Sequence, residues 1–310
     1  MSQALAFVFP GQGSQHLGML AELAEQYPVI QETFAEASEA LGYDLWALVQ
    51  QGPEEELNNT EVTQPALLSA AVALWRLWQQ RGGATPALMA GHSLGEYSAL
   101  VCAGVLGFAD GVRLVQLRGR LMQQAVPAGT GAMAAILGLD DAAIAVACES
   151  AAQGQVVSPV NFNCPGQVVI AGEKAAVERA MEACKAAGAK RAIPLPVSVP
   201  SHCALMRPAA AGMAPVLADI VLQAPQIPVL QNVDAAVPAT LEQIRENLLA
   251  QLYSPVLWTR TVQAMVDAGA ETVVECGPGK VLSGLNKKVH KALNVVAINE
   301  PAGLAKALGE

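Results

Sequence analysis

A chain of 310 residues that is 53% hydrophobic and only 15% charged can bury a core without disulfide or metal staples, and it is excluded from the disordered class. Eighteen Lys and Arg against 27 Asp and Glu leave a net charge of −9, which argues against a dedicated nucleic-acid binder. Aromatic residues make up 4%, so the core has to come from Ala, Val and Leu spread over many helices and strands.

Short apolar runs alternate with helical patterns, which predicts an α/β fold with a parallel sheet. Ala4–Phe9 reads as a buried strand that breaks into the loop Pro10-Gly11-Gln12-Gly13-Ser14-Gln15. Acid-rich helices follow, with ten acids and no Lys or Arg in the first 75 residues. A long helix is expected to start near Thr63-Gln64-Pro65, with proline in the first turn where its missing N–H costs nothing, and to end at Gly82-Gly83. A short strand (Ala87–Ala90), a tight turn (Gly91–Gly95) and two helices reaching about Val126 come next.

From Gly129 the pattern changes. Met133–Leu137 reads as strand, Asp140–Gln153 as helix, Val156–Phe162 and Gln167–Ala171 as strands, Glu173–Ala187 as helix and Lys190–Leu195 as strand. That βαββαβ order is the ferredoxin-like arrangement. Pro127-Ala128-Gly129 and Pro194-Leu195-Pro196 read as linkers. Residues 128–197 are therefore expected to be a small subdomain inserted into a larger one, built from 1–127 and 198–310. A helix over 204–221, a strand near Val229, two helices, a strand Thr272–Cys276 and a final helix complete the main sheet.

The six cysteines (Cys102, Cys148, Cys164, Cys184, Cys203, Cys276) are scattered without a C-x-x-C pair. That is neither a zinc pattern nor a disulfide framework, and it suits a reducing cytosol. Ala4 to Phe9 lacks a basic flank and runs into Pro10-Gly11, unlike a signal peptide. The longest apolar stretch, Ala66–Trp75, stops at Arg76, too short for a bilayer. A soluble, cytoplasmic protein is expected, with neither membrane nor nucleic acid as partner.

Gly91-His92-Ser93-Leu94-Gly95 matches G-x-S-x-G between a strand and a helix. Glycines flank the serine because the strand-to-helix turn is sharp; the Oγ is thereby exposed, and the helix N-terminus favours developing negative charge. A nucleophilic serine needs a base, usually histidine, and the chain has His16, His92, His202 and His290. The His92 side chain should diverge from Oγ in a tight turn. His290 sits among Lys287, Lys288 and Lys291, on a solvated face; His16, after the glycine loop, stays open. His202, in Pro200-Ser201-His202 on a loop about to start a helix, is the best placed. A structural, hydrogen-bonded histidine is its alternative. Cys203 next to it reads as a buried small apolar residue rather than a nucleophile.

A serine hydrolase triad also wants an acid. Asp110, Asp140, Asp141 and several Glu between Ser93 and His202 fall in exposed helical patterns rather than at strand ends, which leaves a neutral carbonyl acceptor as the third member. Gly11-Gln12-Gly13 is no dinucleotide loop, because His16 stands where G-x-G-x-x-G needs glycine; its better use is a backbone N–H facing an oxyanion. Gly277-Pro278-Gly279-Lys280 is no P-loop, since Val281 replaces the required Ser or Thr. Arg118 sits within the apolar stripe Leu114, Leu117, Leu121, Met122 and Ala125. A buried guanidinium stays charged and wants an anionic partner. Two readings stand: a salt bridge to an internal Asp or Glu, or a bidentate clamp for a substrate carboxylate.

Phe9-Pro10-Gly11-Gln12-Gly13-Ser14-Gln15, Thr63-Gln64-Pro65-Ala66, Gly91-His92-Ser93-Leu94-Gly95-Glu96, Arg118-Gly119, Pro200-Ser201-His202, Gln251-Leu252-Tyr253-Ser254-Pro255-Val256 and Gly277-Pro278-Gly279 occur together and in order. Across essentially the whole chain they resemble the malonyl-CoA:acyl-carrier-protein transacylases of bacterial fatty acid synthesis. The resemblance implies a hydrolase-like α/β domain carrying a ferredoxin-like subdomain. It implies Ser93 as nucleophile and His202 as base, oriented by the Gln251 main-chain carbonyl. The backbone N–H groups of Gln12 and Leu94 would form the oxyanion hole, and Arg118 would hold the malonyl carboxylate. Malonyl-CoA and acyl carrier protein are the implied partners, with no metal or redox cofactor. The family's carrier protein is acidic, so docking on this net-negative chain calls for a local basic patch, and Lys190, Arg191, Lys280, Lys287, Lys288 and Lys291 are the candidates. A chain without fused modules favours fatty acid over polyketide synthesis. The competing readings are a serine esterase or thioesterase, which demands neither Arg118 nor Gln12, and a non-catalytic scaffold, for which a strained elbow would be pointless.

Overall fold

The computed structural model describes residues 4–197 and 199–310. Its strands are β1 (Ala4–Phe9), β2 (Leu88–Gly91), β3 (Gly131–Leu137), β4 (Val157–Cys164), β5 (Gln167–Glu173), β6 (Arg191–Pro194), β7 (Val229–Leu230), β8 (Ala270–Glu275) and β9 (Asn294–Ala297). Five form a parallel sheet in the order β7-β2-β1-β8-β9; the other four form a separate antiparallel sheet in the order β4-β5-β3-β6.

β1 is the middle strand of the parallel sheet, and residues 6–9 are fully buried. Side chains alternate across a strand, so a middle strand needs apolar residues at every position. Phe7 and Phe9 enter the core beneath the helices Val29–Leu41, Thr60–Gln80 and Phe108–Gln124. There Phe7 meets Trp75 and Trp78 edge-on, with ring centroids 5.3 and 5.2 Å away. Ala6 and Val8 face the opposite layer, against Trp258, Val262 and Leu282. Both aromatic residues of β1 thus face the same layer.

The antiparallel sheet is also two-faced. Ala134, Ile136, Val168 and Ile170 pack on the helices Asp141–Ala152 and Lys174–Ala186. Met133, Val160, Val169 and Ala171 turn the other way, against Cys203. That second face looks across a cleft at the first sheet.

Several elements differ from expectation. The long helix begins at Thr60, where the Asn59 side chain caps it by accepting the Glu61 N–H at 3.1 Å. Pro65 is therefore inside the helix rather than in its first turn, at the loss of one ladder hydrogen bond. The helix expected over 204–221 opens as a 3₁₀ turn, Ala204–Met206, and continues as Arg207–Asp219. After β8 there is not one final helix but a helix (Val281–Val289), β9, and a second helix (Pro301–Leu308). β9 is four residues long and pairs only with β8, too short for periodicity to resolve. Ser198, where the sequence puts a boundary, lies outside the described residues. Among the described residues no helix is long and apolar enough to cross a membrane.

Candidate active site

β1 and β2 lie side by side in register, Phe9 opposite Gly91, so the loops leaving them meet. After Gly91 the chain turns through Ser93, at a φ of 54°, into the helix Gly95–Cys102. Two glycines make the turn possible. A Cβ on Gly91 would lie 1.8 Å from the Gly95 carbonyl carbon, and one on Gly95 would lie 2.0 Å from the Phe9 carbonyl oxygen. The pattern G-x-S-x-G is here a statement about closest approach.

His202 arrives on the loop between β6 and the helix Arg207–Asp219, itself at a φ of 64° and 3% exposed. Its Nδ1 is 2.7 Å from the Gln251 main-chain oxygen, and its Nε2 is 2.7 Å from Ser93 Oγ. A carbonyl only accepts, so Nδ1 carries the proton in the neutral ring and Nε2 is free to accept from the serine. Burial, reinforced by the Arg118 charge, pushes the imidazole down to about 3. It rests neutral.

Arg118 comes from the helix Phe108–Gln124 and is 1% exposed. Among the described residues it makes no ion pair. Its two terminal nitrogens donate to neutral oxygens, Gln64 Oε1 and Gln251 Oε1, both at 2.9 Å, and one of them is 3.4 Å from Ser93 Oγ. Its Nε has no partner, and its guanidinium carbon lies 5.3 Å from the Tyr97 ring centre. The internal salt-bridge reading therefore fails, and a desolvated cation lies beside the Ser93 hydroxyl.

Ser93, His202, Arg118, Gln12 and Leu94 all line one cleft of about 430 Å³ between the two sheets. Its far wall includes Met133, Ala135 and Val169 from the antiparallel sheet, and Asn161 and Asn163. Among the described residues, the backbone N–H groups of Gln12 and Leu94 have no protein acceptor. The other histidines fall away from this chemistry. His92 turns from Oγ to donate to Asn163 Oδ1 at 2.8 Å and packs on Trp258. His16 lies in the exposed loop, its Nδ1 3.4 Å from the Ser14 carbonyl, and His290 is outside the cleft. The Cys203 thiol contacts the Pro200 carbonyl, and burial pushes it up to about 11, so it is no thiolate.

A serine in contact with a neutral histidine, beside a buried cation in one cleft, is an arrangement that suits acyl transfer. Comparison with known proteins agrees. Residues 6–304 match the family model for the acyl transferase domain. A malonyl CoA-acyl carrier protein transacylase of Salmonella typhimurium (strain LT2) is 67% identical over 303 residues, 98% of each protein. The chain belongs to the malonyl CoA-acyl carrier protein transacylase family. It is an acyltransferase. A solved acyl carrier protein S-malonyltransferase from Vibrio cholerae superposes with a TM-score of 0.96 at 65% identity, covering 97% of this chain and 99% of that one. A malonyl-transacylase solved in complex with a type II PKS acyl-carrier protein gives 0.98 at 63% identity, with 99% of each chain covered.

Four participants in this acyltransferase site carried little sequence signal. Gln64 has a weak one, a carboxamide just ahead of the apolar run from Ala66. Asn232 and the side chain of Gln251 have none, because a buried carboxamide matches no periodic pattern. Glu96, expected among the acids of exposed helical patterns, is instead fully buried on the elbow helix.

Proposed function

We propose that this acyltransferase carries a malonyl group from malonyl-CoA to the phosphopantetheine thiol of acyl carrier protein through an ester on Ser93. The observation that carries the reading is the 2.7 Å contact between Ser93 Oγ and His202 Nε2 with the Arg118 guanidinium 3.4 Å away. His202 takes the Oγ proton as Oγ attacks the thioester carbonyl; the C–S bond then breaks, and CoA leaves with that proton. The carrier thiol next gives its proton to His202 and attacks the ester, and Ser93 leaves with the proton returned. The Gln12 and Leu94 amides receive the oxyanion of each tetrahedral intermediate. Arg118 exchanges its neutral carboxamide partners for the malonyl carboxylate, a bidentate match. Gln251 supplies a carbonyl where a hydrolase triad has a carboxylate, so the base is weak, and it favours a thiol over water as acceptor.

The antiparallel sheet order supports reading residues 128–197 as a ferredoxin-like subdomain within a hydrolase-like domain of 1–127 and 198–310. Six unpaired, buried cysteines suit a cytoplasmic location, and the product serves fatty acid elongation. The test is incubation with radiolabelled malonyl-CoA. A label on Ser93 that persists in buffer and is discharged by holo acyl carrier protein is expected. A label lost to water at the same rate would make the protein a thioesterase.

Carrier docking is proposed on the basic residues at the cleft rim. Lys288 donates to Gln167 Oε1 at 3.3 Å, and Gln167 lines the cleft. Lys280 is neutralised by Glu300 at 3.3 Å, and the Lys287 ammonium is held by the Leu293 carbonyl, so Lys288 should carry most of the effect. Lys287→Glu with Lys288→Glu should raise KM for carrier protein roughly tenfold at low salt and less at high salt, with malonyl-CoA kinetics spared. An unchanged carrier KM at low ionic strength would rule the patch out.

A further inference from the structure

Ser93 holds a left-handed backbone conformation, which a non-glycine residue keeps only where its surroundings over-determine it. The glycines permit the turn but do not enforce it. What enforces it is a set of buried carboxamides that the transfer chemistry leaves unused. One carboxamide straddles the turn: Asn232 Oδ1 accepts the Ser93 N–H at 2.8 Å, while Asn232 Nδ2 donates to the Gly91 carbonyl at 2.6 Å. Only a group with donor and acceptor side by side can do both. Asn232 is itself seated by the elbow helix. Glu96 Oε2 accepts its backbone N–H at 2.6 Å, and Glu96 Oε1 accepts from Gln231 Nε2 at 3.1 Å. Helix, carboxylate, carboxamide and turn close into a ring, with Glu96, Gln231 and Asn232 fully buried.

The second peptide of the elbow is held in the same way. Gln251 Nε2 donates to the Ser93 carbonyl at 3.0 Å. That carbonyl and the Leu94 N–H belong to one planar trans peptide and point in opposite directions. A hold on the oxygen therefore aims the Leu94 amide.

We propose that Asn232, seated by Glu96, is a positioning residue of the acyl-transfer site: with the Gln251 side chain it locks the two peptides flanking Ser93, keeping Oγ in line with His202 and the Leu94 N–H toward the acyl oxygen. The proposal rests on the reading of Ser93 as nucleophile. It predicts that the clamp acts on every acyl group alike, in contrast to Arg118, which faces the substrate. Misplacing a reacting atom by about 1 Å costs roughly 10²-fold, and that is the loss expected.

The test compares wild type with Asn232→Ala and with Asn232→Asp, the near-isostere that keeps an acceptor but lacks the donor to Gly91. Two rates are measured per folded molecule: steady-state malonyl transfer, and phosphonylation of Ser93 by a small neutral fluorophosphonate. The second needs the elbow and His202 but no malonyl group. If wild type is phosphonylated yet forms no malonyl ester, the proposed function fails while the clamp is still measured. Both variants should lose about 100-fold in kcat and in phosphonylation, with malonyl-CoA KM within about threefold and the malonyl-to-acetyl ratio unchanged. Should neither variant fold, Glu96→Gln, which leaves the Asn232 side chain in place but puts a donor against its seat, should lose about tenfold in both rates at pH 8. Folded variants within about threefold of wild type, or a loss that follows only the folded fraction, would overturn the role.

Discussion

Ser93→Ala should form no malonyl ester, and His202→Ala should transfer malonyl roughly 10²- to 10⁴-fold more slowly while keeping its fold. The two act as one unit across the 2.7 Å contact, so the double variant should be little worse than the worse single one. Label appearing on another residue of Ser93→Ala would sink the assignment. The pH dependence carries a further sign. A histidine of ordinary pKa, about 6.5, would cost kcat/KM a proton's worth of activity below that pH. Burial and Arg118 push His202 down to about 3, so the base stays neutral, and its acid limb should lie well below 6.5. The linked stability follows the same direction: it is intact above the unfolded pKa and is lost as pH falls from there towards the depressed folded value, because only the unfolded chain takes up the proton. With acetyl-CoA as substrate, Arg118→Ala should move the limb upward, since the second cause of the depression is gone.

The second large effect belongs to Arg118 itself. Its fork rests on Gln64 and Gln251 oxygens, which are neutral, whereas malonyl offers a carboxylate and acetyl does not. Removing one member of a buried charged pair costs about 3–5 kcal/mol, or roughly 10²- to 10⁴-fold in kcat/KM. Arg118→Ala should lose malonyl transfer by that order, with acetyl transfer held or raised, since acetyl has no charge for the fork to meet. Arg118→Lys should fail almost as badly, because a point charge reproduces neither arm of the fork. The deciding quantity is the malonyl-to-acetyl ratio of kcat/KM. If both substrates fall together in a folded protein, selectivity lies elsewhere.

What could be read in the chain follows from how far each constraint reaches along it. The elbow was legible because Gly91 and Gly95 are both needed within five residues, a local steric demand that leaves a local mark. Arg118 was legible because one cation interrupts a helical stripe. The unbroken apolar run of β1 and the order of strands and helices from β3 to β6 were legible for the same reason, each element leaving a local pattern. Asn232 was not, since its partner Ser93 is 139 residues away and a carboxamide on a loop has no period to break. β9 was lost to its length. The long helix was misplaced at its start because proline at a first turn is the common case, and the Asn59 cap three residues earlier than expected overrode it.

Arg118 also bears on how the empty enzyme stands thermodynamically. A guanidinium walled off from water, with its Nε left unbonded and no counter-charge in ion-pair reach among the described residues, is a burden that the rest of the fold has to offset. On the proposed function, a malonyl carboxylate on the fork would remove that burden, and the acyl-enzyme would be more stable than the free enzyme. Selectivity for a dicarboxylic acyl group would then be held as latent destabilisation of the resting protein, which an uncharged acetyl group would leave in place.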